Sequence, residues 1–207
     1  DEYESKRKYI GILPVGKTQV WMQLRLASIS LAHRVKFFKN QFSIEDVLSN
    51  SGRYALMAGV MDYYHTVLSY FNSLKEVGKT QSQLTHYLPT DLKRIVGNTV
   101  GWTVLEHLIK PSEEINYSEL TGRLSGEEVK TNLANIQETW LVGNGIQPPE
   151  FVISTSMISV GIDVSRFNVM IINSMPRNTA EYIQASSRVV RNKEGIVLTV
   201  HHPFRSS

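Results

Sequence analysis

Two groups of residues have types and spacings suited to chemistry. GILPVGKT, Gly11 to Thr18, fits the pattern G-x-x-x-x-G-K-[ST]. In loops of that kind, backbone N–H groups surround phosphate while the lysine and hydroxyl serve the terminal phosphates and magnesium. The second group lies late in the chain, where a helix is predicted to start at Asn178, with Glu181 three residues on as a capping box. Gln184, Arg188 and Arg191 follow at steps of four and three, which places them on one face of that helix. Two guanidiniums so placed can grip a polyanion, or neutralise charge that develops on a transferring phosphoryl group. A solvated basic helix end is the plainer alternative.

A working phosphate loop needs a strand before it, a helix after it, and an acidic residue ending another strand to hold Mg²⁺. YIGIL supplies a strand. Val20, Leu24, Ala27, Leu31, Val35 and Phe38 then recur at steps of three or four, which predicts a long core-facing helix. The acid is missing, because the only strand-like run that ends in one is GVMD, and Asp62 is followed by Tyr63. Pro14 and the bulky Ile12, Leu13 and Val15 also replace the small residues that let backbone surround phosphate. The favoured reading is a lookalike at the start of the domain. The alternative of a self-contained P-loop NTPase or kinase using Gly11 to Thr18 stays open.

Composition bounds the answer without choosing it. A chain of 207 residues, 42% hydrophobic and 20% charged, is ordinary for one α/β domain with helical additions. No apolar run reaches membrane-spanning length, cysteine is absent, and the six histidines show no metal-ligand spacing, so no metal site is expected. The setting read from this is cytoplasmic. A net charge of +3 permits contact with nucleic-acid phosphate but does not demand it. The chain opens on Asp1 without an initiator Met, which reads as a piece of a longer protein. ESKRK, near that end, reads as a solvated start or linker, and the tryptophans and aromatic clusters as core packing.

The elements that must position these groups follow an α/β order. SGRYALMAGVMDYYH predicts a helix and TVLSYF a strand. From Lys79 to about Asn116 the pattern weakens around Gly97, Gly101 and Pro111, and reads as a helical insertion. Ser125 and Glu128 form a capping box for a helix to about Leu141. FVIST, FNVMIINSM and GIVLTVHH are predicted strands. Strands that alternate with helices imply parallel pairing and functional loops at the carboxyl edge of the sheet. Residues 1–65 form a helical lead-in, and 66–207 the main domain.

The residues at those loops carry a resemblance. TSMISVGID, residues 155–163, looks like helicase motif V, and QASSRVVR, residues 184–191, looks like motif VI, whose family form is Q-x-x-G-R-x-x-R. TVLSYFNSLKEVG is similar to motif IV, and ELTGRLSGEEV resembles the strand, glycine and capped helix that precede motif V. The chain is thus identified as a member of the C-terminal RecA-like domains of superfamily 2 helicases and translocases, most similar to large bacterial helicases of the phage-defence type. The match runs over roughly residues 66–202.

This resemblance implies a three-layer RecA-like domain of the P-loop NTPase type, with a parallel sheet, helices on both faces, and N-terminal and inserted helical segments. It implies ATP and Mg²⁺ held mainly by a separate N-terminal RecA-like domain of the same full-length protein, with DNA or RNA as the other partner. Arg188 and Arg191 would be arginine fingers, and Gly161, Asp163 and Gln184 would lie at the nucleotide interface. Thr155, Gly122, Arg123, Ser69 and Asn72 would contact nucleic acid. Two positions depart from the pattern: Ser187 stands for the motif VI glycine, and Val190 for the small residue before the last arginine. These departures keep open a third reading, a binding module with the helicase shape that has lost catalysis.

Overall fold

The computed structural model describes residues 7–97, 113–140, 147–156, 164, 166–189 and 194–202. Six strands, β1 (Arg7–Ile12), β2 (Val67–Phe71), β3 (Tyr117–Leu120), β4 (Phe151–Ser154), β5 (Val169–Asn173) and β6 (Gly195–Val200), form one sheet in the order β1-β6-β5-β2-β4-β3. Every pairing is parallel. A parallel ladder requires crossovers, and the helices that supply them cover both faces. On one face lie α1 (Gln19–Gln41) and α4 (Leu74–Val96), and on the other α5 (Gly126–Gln137) and α6 (Thr179–Ser186).

Side-chain alternation divides the core accordingly. Val67 and Phe71 of β2 join Leu24, Leu31, Leu84 and Leu88 under the first pair of helices, while Leu68 and Tyr70 join Ile136, Ala185 and Val189 under the second. Inner strands β2, β4 and β5 are buried along their whole length and β6 from Val197 onward, as their mainly apolar runs favour. β1 is the exception, an edge strand with Tyr9 and Ile10 about half exposed.

The apolar period read in α1 holds, because Leu24, Ala27, Leu31, Val35 and Phe38 are all buried. Beyond the sheet, Phe38 and Phe42 meet α2 (Ile44–Ser49) and α3 (Ser51–Tyr63) in a satellite core with Met57, Met61 and Trp140. The lead-in over 1–65 therefore contributes a strand as well as helices, and α1 belongs to one of the two helical layers that cover the sheet.

The segment expected as a helical insertion from residue 79 is, as far as Val96, a framework helix. α4 starts at Leu74, capped by Ser73, and runs through Pro89 to Gly97, whose positive φ of 79° closes it. It packs along α1, and Asp91 accepts two bonds from Arg25 at 2.6 and 2.7 Å and another from Arg94 at 2.8 Å. Burial works against the Asp91 carboxylate, but the guanidiniums outweigh it and hold its pKa below the usual carboxylate range. Among the described residues no helix is long and apolar enough to cross a membrane.

Candidate functional site

Parallel register brings the carboxyl ends of β2, β3 and β4 side by side, with Ser154 opposite both Tyr70 and Leu120. The residues that follow these strands line one edge of the sheet. Thr155 continues β4, and its backbone N–H reaches Leu120 O at 3.3 Å. Asn72, after β2, donates from Nδ2 to Asn173 O at 3.0 Å and Ser174 O at 3.1 Å, which ties its loop to the one beyond β5. Gly122 and Arg123 are exposed after β3.

Arg123 forks onto Glu119 through Nε and Nη2, each at 2.6 Å, and donates to Gln81 Oε1 at 2.5 Å. Burial raises the pKa of Glu119, yet the bonds from Arg123, Thr121 and Gln81 prevail and keep it ionised below the ordinary range. The guanidinium remains partly exposed, at 40%, so it can present its outer face to phosphate.

Ser69 does not belong to this edge. Its side chain points under α1, fully buried, and takes a 2.5 Å bond from Gln23 Nε2. The expected nucleic-acid contact is corrected here: strand alternation sends residue 69 to the α1 face, three residues before the exposed Asn72.

The arginine group is built differently from its sequence reading. Asn178 caps α6 by accepting from the Glu181 N–H at 2.7 Å. The Glu181 carboxylate accepts from Tyr70 OH at 2.5 Å instead of turning back to Asn178. Burial first, then this carboxylate, pushes the Tyr70 phenol far above its ordinary pKa, so it stays protonated as a donor. α6 ends at Ser186, and the next residues form a turn in which the Arg188 N–H reaches Ala185 O at 3.2 Å.

Gln184 therefore lies on the exposed helix and Arg188 on the half-buried turn after it, so these two do not share the one helix that the sequence reading expected. Arg191, Gly161, Asp163 and Val190 lie outside the described residues. Ser187 is right-handed, with φ −69° and ψ −13°, so this position has no need of the family's glycine.

The sequence reading missed one partner of this turn. Arg7 donates from Nε to Val189 O at 2.8 Å and from Nη2 to Ser187 O at 3.3 Å. It belongs to ESKRK, read above as solvated. No local pattern could reveal a contact made 182 residues away.

GILPVGKT does form strand, loop and helix, with Gly16 at a positive φ of 69°. Its chemistry is engaged otherwise. Thr18 caps α1 by accepting from the Trp21 N–H at 3.1 Å, and Lys17 Nζ lies 5.2 Å from the Trp21 ring centroid. β1 is an edge strand, and among the described residues no carboxylate follows its neighbour β6, or β5 beyond it. Asp62 sits at the end of α3, bonded to Arg166 at 2.6 Å and to the Trp140 N–H at 2.7 Å. Among the described residues, then, no carboxylate is placed at this loop.

A parallel three-layer domain with polar residues along its carboxyl edge and an arginine at the end of its last helix defines the class. The chain belongs to the helicase conserved C-terminal domain family, which it matches over residues 89–193. Its fold is that of the RecA-like helicase domains.

Among individual relatives, it is 36% identical over 202 residues to the DISARM protein DrmA of Bacillus paralicheniformis, a similarity that covers 96% of this chain and 16% of that protein. The chain spans about a sixth of that relative's length. In fold it resembles S. cerevisiae Dbp5 bound to RNA and ADP BeF3, with TM-score 0.52, 13% identity, and 95% of this chain against 36% of that one. A second Dbp5 structure, the L327V variant bound to Gle1 H337R and IP6, gives TM-score 0.51 at 13% identity, over 96% and 36% of the two chains.

Proposed function

We propose that this domain is the second motor half of an ATP-dependent helicase or translocase acting on DNA or RNA in the cytoplasm. ATP and Mg²⁺ would be held mainly by an N-terminal RecA-like domain of the same full-length protein. The observation that carries this reading is the position of Arg188, on a partly exposed turn braced against the sheet, directly after a helix whose other end reaches the carboxyl edge. A guanidinium suits phosphate because its planar fork offers several N–H donors to the anion oxygens.

When bound, ATP supplies a γ-phosphoryl group whose transfer to water develops negative charge. Arg188, with Arg191 by motif position, would neutralise that charge. Gln184, Gly161 and Asp163 would sit at the same interface, while Thr155, Asn72, Gly122 and Arg123 would meet the nucleic-acid backbone. α6 has 8 residues, so about 12 Å of rigid helix separates the two groups and can transmit movement between them.

Turnover in the full-length protein is the test. Arg188→Ala should lower nucleic-acid-stimulated ATP hydrolysis by about 10³-fold or more, with nucleic-acid affinity in the nucleotide-free state near wild type. The domain on its own should hydrolyse ATP negligibly. Full turnover by the variant, or strong hydrolysis by the isolated domain, overturns the reading.

A further inference from the structure

We infer that Arg7 is a positioning residue for Arg188, and that β1 acts as the brace of the arginine-finger turn. The inference rests on the function proposed above and concerns a residue far from any helicase motif. The last carbonyls of a helix have no intrahelical partner and carry the negative end of its dipole, so a cation there is favourable. Arg7 meets the carbonyls of the turn just beyond α6, at that end of the dipole, with a fork. Its Nε takes Val189 O at 2.8 Å and its Nη2 takes Ser187 O at 3.3 Å.

These two carbonyls belong to the residues before and after Arg188, so one planar guanidinium spans the backbone that carries the finger. Val189 is completely buried beneath α6, which fixes the same turn from within. Arg7 is itself held, because its strand pairs with β6 from Gly195 onward. Tyr9, two residues along on the same face of β1, packs on Tyr182 of α6 with ring centroids 6.3 Å apart.

The backbone of Arg188 is thus set by three elements, β1, α6 and β6, and its side chain leaves from a fixed origin. That matters because transition-state stabilisation by a preorganised cation is sensitive to displacement. A shift of about 1 Å can cost roughly 10²-fold in rate. Lysine would keep the charge but lacks the fork that reaches two carbonyls at once.

The test uses the full-length protein and compares Arg7→Ala, Arg7→Lys, Arg188→Ala and the Arg7→Ala/Arg188→Ala double variant. The readouts are kcat and KM for ATP hydrolysis with saturating nucleic acid, nucleic-acid affinity without nucleotide, and thermal stability. Arg7→Ala should lower kcat by about 10- to 100-fold, with nucleic-acid affinity unchanged. Arg7→Lys should recover only part of that. The double variant should be no slower than Arg188→Ala alone, because a brace has no effect once the finger it holds is gone.

If Arg188→Ala abolishes turnover while Arg7→Ala leaves kcat within about 2-fold, the role of Arg7 is refuted and the domain's function stands. If the two losses multiply, Arg7 acts independently of the finger and the inference fails. If Arg7→Ala is too unstable to assay, Arg7→Lys decides: wild-type kcat in that variant overturns the fork, and a reduced kcat at unchanged nucleic-acid affinity supports it. Wild-type turnover in Arg188→Ala instead removes the functional reading beneath both.

Discussion

Replacing Arg34 with methionine should destabilise the domain by about 3 kcal/mol, the low end of the roughly 3–5 kcal/mol that breaking a buried ion pair costs. Arg34 of α1 is 4% exposed and Glu150, just before β4, is 1% exposed, with Nη2 and Oε1 2.6 Å apart. Arg34 Nη1 also donates to His65 Nδ1 at 2.7 Å, and His65 Nε2 then donates to Pro148 O at 2.9 Å. The cluster joins α1 to the starts of β2 and β4.

Methionine fills much of the arginine stem but leaves the Glu150 carboxylate without its nearest cation. The low end applies because Arg34 Nε has no hydrogen-bond partner among the described residues, and removing that atom relieves about 1–3 kcal/mol of desolvation cost. For a domain of this size about 3 kcal/mol corresponds to a fall in Tm of roughly 6–12 °C. Urea unfolding of the 207-residue chain, followed by circular dichroism, measures it as a lower midpoint at unchanged slope. Adding Glu150→Leu should recover most of the loss, since an apolar pair can replace an ionic one. A single variant within about 1 kcal/mol of wild type, or a double variant worse than the single, would refute the reasoning.

Two further outcomes are expected. Burial, and then the adjacent Arg34 guanidinium, holds His65 well below its usual pKa of 6.5. The unfolded chain therefore takes up a proton that the folded one resists. His65 contributes stability above about pH 6.5 that is lost as pH falls toward its folded pKa, at up to roughly 1.4 kcal/mol per pH unit. Unfolding free energies between about pH 7.5 and 5.5 should show that decline, and His65→Gln should flatten it. Lys17→Ala should leave ATP hydrolysis by the full-length protein near wild type, because Lys17 lies against Trp21 and, among the described residues, no carboxylate is placed at its loop; a large loss would restore the phosphate-loop reading.

Much of the scaffold was legible because it depends on neighbours in sequence. The Ser125–Glu128 box forms with both of its hydrogen bonds, and the period of α1 places five predicted residues in the core. The Asn178 cap also forms, but the other half of its box does not, because Tyr70 takes the Glu181 carboxylate. GVMD looked strand-like as an apolar run, yet it lies within α3, where Met57, Ala58 and Met61 gain burial in the satellite core. Likewise α4 carries too few apolar residues to stand out, but Val77, Leu84, Leu88 and Leu92 share the face that meets α1 and the sheet.

By itself the sequence determined the parallel α/β class, the motif-bearing loops and the helicase family, since periodicity, caps and typed motifs are local properties of the chain. Only the tertiary structure decided which typed residues reach a surface. It buried Ser69 beneath α1, ended α6 before Arg188, made Ser187 an ordinary right-handed residue, and placed β1 on the sheet edge with Arg7 at the turn that carries Arg188. The physical reason is that side-chain exposure and the partners of helix-end carbonyls are set by segments brought together from opposite ends of the chain.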